Sequence, residues 1–194
     1  MSEPQPALAS SRPLVPSGVL AMVLFIATEI LFFAGLISAF LVLRAEALVW
    51  PPLDQPRLPV ALTGVNTFVL LASGWTVHRA LVSVRGGGGG LVQWLGATAL
   101  LGALFLGVQG FEWVRLVGFG LTTSSSLYGA TFYTLVGAHG LHVLAALVAL
   151  LVTWGRAAAG RYTPAEHVGL DVCRIYWLFV VAVWPILYVL VYLV

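Results

Sequence analysis

The chain has 194 residues, 60% of them hydrophobic and 8% charged. Soluble domains carry about 25% charged residues, so the composition excludes that class and points to a membrane protein. All nine basic residues are Arg, the net charge is only +2, and no basic stripe of the kind that binds nucleic acid is present.

A helix needs roughly 20 apolar residues to cross a hydrocarbon core of about 30 Å. Five runs meet that length, at about 18–43, 58–77, 91–117, 128–154 and 175–194. The expected fold is therefore all-α, an integral membrane bundle of five transmembrane helices forming a single domain over 1–194. The runs are continuous rather than alternating, which rules out a β-barrel. The residues before the first span contain Pro and Ser but no basic n-region, so no cleavable signal peptide is expected.

The first span carries one ionisable residue, Glu29. A charged group in hydrocarbon costs roughly 2.5–3.5 kcal/mol on insertion scales, so it is a site candidate by default. It is either a lipid-headgroup, proton or subunit contact, or a group hydrogen-bonded to a neighbouring helix. A Pro-rich loop, Trp50 to Arg57, follows. The second span holds Asn66 and Thr67, which are expected to hydrogen-bond across helices, and closes with His78 and Arg79. Five glycines, Gly86 to Gly90, form a flexible connector.

The third span continues through Gln109, Glu112 and Arg115. Gln109 and Glu112 share a face, and Glu112 is expected to pair with Arg115. After the polar run Thr122 to Ser126, the fourth span carries His139 and His142, three apart on one helix face. Two such imidazoles could hold a metal or haem. The sequence favours interhelical hydrogen bonds beside Gly137 and Gly140, because a zinc site would want further Cys, Asp or Glu ligands. An Arg-bearing loop from Gly155 to Asp171 leads to the last span. Gly96, Gly102 and Gly107 on the third span are expected at close helix contacts. Trp50, Trp75, Trp113, Trp154, Tyr128 and Tyr176 are expected to form an aromatic belt at the span ends.

The single cysteine, Cys173, cannot form a disulfide within the chain. Nucleotide, dinucleotide and haem-attachment motifs are all absent. Arginine counting gives Arg12, Arg79, Arg85, Arg156, Arg161 and Arg174 on the N-terminal side against Arg44, Arg57 and Arg115 opposite. That asymmetry places the N-terminus in the cytoplasm.

Five segments resemble subunit III of cytochrome c oxidase. FIATEILFFAGLISAFLVLR, residues 25–44, is similar to that family's Ser-Glu-x-x-x-Phe-Phe helix, with Thr28 and Glu29 at the first two places. NTFVLLASGWTVHRA, residues 66–80, resembles an Asn-Thr-x-x-Leu-Leu-x-Ser-Ser run. FLGVQGFEW matches a Gln-x-x-Glu-Tyr/Trp pattern at Gln109, Glu112 and Trp113. FYTLVGAHGLHV, residues 132–143, resembles Phe-x-x-x-Thr-Gly-x-His-Gly-x-His-Val. HVGLDVCRIYWLFVVAVW, residues 167–184, is similar to the family's closing helix, but with Leu178 and Val181 where the family has His and Asp, and Asp171 where it has Glu.

The resemblance implies a five-helix form matching the last five of the commoner seven helices. It also implies a subunit that carries no cofactor of its own, while haem and copper sit in partner subunits. Its expected role is to stabilise the catalytic subunit of a haem-copper terminal oxidase, which reduces oxygen to water and pumps protons, together with that subunit's lipids. Expected partners are subunit I directly, subunit II, a small subunit IV, and bound phospholipid, all in a bacterial cytoplasmic membrane. The lipid or subunit contacts expected are Glu29, Arg156, His167, His139, His142 and Asp171. Alternative readings are an accessory subunit of a quinol oxidase or of nitric oxide reductase, or a small transporter or haem-handling membrane protein.

Overall fold

The computed structural model describes residues 15–53, 55–87 and 89–194. Arg12 in the orientation count, the signal-peptide reading up to residue 14, Asp54 of the Pro-rich loop and Gly88 of the glycine run lie outside them. Five helices cross the fold: α1 Ser17–Glu46, α2 Val60–Arg85, α3 Leu91–Gly118, α4 Leu127–Ala158 and α5 Val168–Tyr188. A π-helical turn, Val189–Leu193, continues α5. All five are long and apolar enough to cross a membrane. Two ends result: a near end where α1, α3 and α5 begin, and a far end where they finish.

Local chemistry sets several boundaries. Gly90 precedes α3 at φ 113° and Gly87 follows α2 at φ 63°, a left-handed region that disfavours other residues. Two of the five connector glycines thus serve a turn, and the connector is more than a spacer. Ser126 caps α4, its Oγ accepting from the Gly129 N–H at 3.1 Å. Helix α5 starts at Val168, well before the apolar run at 175, because Asp171 and Arg174 find partners at the near end and need not sit in hydrocarbon.

The core is α2, α3, α4 and α5, with α5 at its centre, while α1 packs chiefly on α5 and α4. Trp177 and Trp184, two turns apart on α5, are fully buried. Their indole N–H groups donate to α2: Trp177 to Ser73 Oγ at 3.0 Å and Trp184 to Thr67 Oγ1 at 2.9 Å. Gly102 of α3 makes room for the Trp177 ring, which a Cβ there would overlap. Gly140 faces Trp113 more loosely, with 3.1 Å from a Cβ position to the ring, and Gly96 faces Trp154 at 3.4 Å. Gly107 and Gly137 have nothing within 4 Å of a Cβ position, so they are not close-contact glycines.

Helices α2 and α3 are joined by polar contacts. Asn66 Nδ2 donates to the Phe105 carbonyl at 3.0 Å, and the Thr76 and Thr98 hydroxyls meet at 2.8 Å. The expected cross-helix bonding of Asn66 and Thr67 is thus realised, to α3 and α5 respectively. Among the aromatic residues assigned to a belt, Trp75 and Trp154 are exposed, but Tyr128 is buried against Trp50 at 5.1 Å between ring centroids.

Candidate functional site

Glu29 and His142 meet. Glu29 Oε2 lies 2.7 Å from His142 Nε2, linking α1 to α4, and both side chains are mostly enclosed. His142 Nδ1 lies 2.7 Å from the Ala138 carbonyl. A carbonyl only accepts, so Nδ1 carries a proton. The contact between Nε2 and Glu29 then holds one further proton, on either the imidazole or the carboxyl. Both arrangements are neutral overall, which satisfies the bilayer's penalty on net charge. Phe33 packs edge-on against the imidazole at 5.1 Å.

His139, one turn earlier, has different surroundings. It is 1% exposed, stacks on Trp184 at 5.0 Å, and neither ring nitrogen has a hydrogen-bond partner. The expectation of interhelical hydrogen bonds at both histidines is therefore met at His142 and corrected at His139. There the aromatic rings of Phe33, Phe105 and Trp184 take the place of polar partners. No group of three or more His, Cys, Asp or Glu side chains is placed to hold a metal ion among the described residues.

A second cluster closes the near end. Arg85, in the last turn of α2, donates to Asp171 Oδ1 at 3.0 Å and to His167 Nε2 at 3.3 Å. His167 Nε2 also lies 3.5 Å from Asp171 Oδ2. Asp171 stands in the first turn of α5, and Arg85 at the end of α2, so each charge complements its helix dipole. Arg85 was not singled out from the sequence beyond its place in the orientation count. The usable signal was an acid in one helix's first turn facing a base in another's last. Arg156 ends α4 and is exposed; its guanidinium joins neither cluster.

The expected pair of Glu112 with Arg115 is not formed. Glu112 Oε2 accepts from Thr63 Oγ1 of α2 at 2.9 Å. The Arg115 guanidinium instead covers the Phe111 and Phe119 rings at 5.8 and 5.9 Å, and both of these rings are exposed.

Residues 10–194 match the family model described as cytochrome c oxidase subunit III. The chain belongs to that family. It is 39% identical to cytochrome c oxidase subunit 3 of Synechocystis, covering 89% of this chain and 73% of the relative. It is 35% identical to that of Thermostichus vulcanus, covering 90% and 86%. Against the Corynebacterium diphtheriae protein of the same name the identity is 34%, over 99% and 94%. As a subunit III family member with five spanning helices, the chain is a multi-pass membrane protein of an oxidoreductase complex. Val181 and Leu178 lie against Gly74 of α2.

Proposed function

We propose that this chain is the haem- and copper-free subunit III of a bacterial terminal oxidase that reduces oxygen to water and pumps protons. It sits in the cytoplasmic membrane with its N-terminus inside, docks directly on subunit I, and shares a complex with subunit II and a small subunit IV. Phospholipid binds with it, and Glu29, His142, His139, His167, Asp171 and Arg156 contribute lipid or subunit contacts. The observation that carries this reading is the family match running through all five helices.

The surroundings of His139 and His142 fit a chain that holds no haem at these two residues. A histidine-ligated haem needs an imidazole nitrogen facing open space. Both nitrogens of His142 are engaged, and His139 is walled in by aromatic rings.

The test is a tagged pull-down in mild detergent with an optical spectrum of the eluate. Haem and copper should arrive with a large co-purifying subunit and leave when it is stripped away. A chain that elutes alone, or that keeps haem after stripping, would overturn the reading. The lipid role is tested separately by the phospholipid content of a Glu29→Ala complex, which should fall.

A further inference from the structure

The far end holds a polar cluster that the preceding reading does not use. Thr63 and Asn66 come from α2, Gln109 and Glu112 from α3, and Tyr192 from the π-helical turn. Glu112 bonds Thr63 at 2.9 Å, Gln109 Nε2 donates to the Tyr192 hydroxyl at 3.1 Å, and Tyr192 also neighbours Thr63 and Glu112. Asn66, Gln109 and Glu112 are 2%, 3% and 2% exposed. Each keeps one oxygen without a hydrogen-bond partner: Asn66 Oδ1, Gln109 Oε1 and Glu112 Oε1. Buried polar atoms are almost always paired, with protein or with ordered water.

Side-chain rearrangement within the cluster does not cure this. Flipping the Asn66 amide would turn an oxygen toward the Phe105 carbonyl, and flipping Gln109 would exchange an unpaired acceptor for an unpaired amide donor. The Thr63 hydroxyl has one proton, yet it lies 3.0 Å from the Pro59 carbonyl as well as beside Glu112. The Tyr192 hydroxyl, which accepts from Gln109, has one proton to give, so three unpaired oxygens exceed what it can satisfy.

A cavity of about 80 Å³ reaches Glu112 from the far end, lined also by Arg57, Pro59, Arg115, Leu116 and Phe119. A water needs about 10–15 Å³ of such space and two to four polar partners. Acceptor oxygens with no donor exclude an anion, and the two arginines on the cavity wall oppose a cation. Water supplies two donors and no charge. We propose that Thr63, Asn66, Gln109, Glu112 and Tyr192 form an internal water-binding site, supplied from the far end through the cavity beside Arg57 and Arg115. The site hydrates the carboxyl of Glu112 inside a membrane bundle.

The experiment is a high-resolution cryo-EM map of the intact complex, at a resolution where waters appear elsewhere in it. Ordered water is expected within about 3.2 Å of Glu112 Oε1 and Gln109 Oε1. A Thr63→Val complex should show at least one fewer site water, since the isosteric change removes a polar partner. Direct re-pairing of the three oxygens with protein donors and no water density would overturn the proposal. So would a single density ringed by oxygens whose position shifts when sodium is exchanged for potassium, which would make the ligand a cation. The parent map decides the matter even if Thr63→Val fails to assemble.

Discussion

Helices α1 and α2 invert the rule that soluble proteins follow. Within its most apolar stretch α1 is 6% buried, whereas α2, the least apolar of the five, is 44% buried. Lipid solvates Leu and Phe as well as a protein interior does, so burying an apolar face contributes little here. What gathers helices is close packing and hydrogen bonding. The buried residues of α2 include Thr63, Asn66, Thr67, Ser73 and Thr76, and each shares a hydrogen bond with α3 or α5. Helix α1 offers two such groups: Glu29, which meets His142 of α4, and Arg44, which donates to the Leu190 and Val194 carbonyls at the far end.

The contrast would break first at the tryptophans. Trp177→Ala removes a fully buried ring and its bond to Ser73, and should cost about 3–5 kcal/mol, as large aromatic truncations in cores do. Leu31→Ala on the exposed flank of α1 should cost at most about 0.5 kcal/mol. Thermal unfolding of the purified complex measures both. Equal losses would mean that α1 is packed as tightly as the core. Gly102→Ala sharpens the same test. Its methyl meets the Trp177 ring, and overpacking of this kind costs about 1–3 kcal/mol.

A smaller effect is expected where α1 is tethered. A double-mutant cycle on Glu29→Gln and His142→Phe should give a coupling near 0.6 kcal/mol, and at most about 1.7, the range found for hydrogen bonds between membrane helices. A coupling of zero would mean that the 2.7 Å contact does not hold in the assembled complex. In that case α1 is kept in place by its packing on α5 and by Arg44, and not by this contact.

The sequence made the five spans legible because continuous apolar runs have no other use in a membrane chain. It also made Glu29 and His142 legible one at a time, as polar residues at a cost. Their pairing was not legible, since 113 residues separate them and only the packing of α1 on α4 joins them. Glu112 misled for the opposite reason. Arg115 is its neighbour at helical spacing, but the carboxyl points inward to Thr63 while the guanidinium lies over exposed rings. Spacing along one helix states which groups can meet, and burial decides which do. The start of α5 was read late because Asp171 and Arg174 looked like loop chemistry. Arg85 and His78, brought over from α2, satisfy them there.

The smallest effect belongs to the near end, and it separates two roles for the same residues. Arg85 is 56% exposed, and pairs of that kind contribute about 0–1 kcal/mol. Asp171→Asn keeps an oxygen for Arg85 to donate to and loses only the charge, so its effect on unfolding should be under about 1 kcal/mol. Salt should erase most of that difference, because exposed charges are screened within about 8–10 Å at 0.1–0.15 M. A loss of several kcal/mol, unchanged by salt, would show instead that a partner buries the cluster. If unfolding barely changes while bound phospholipid falls, Asp171 sets the orientation of Arg85 and His167 for an anionic headgroup. The near end would then be a contact surface, and the α1 tether a separate device for holding one helix.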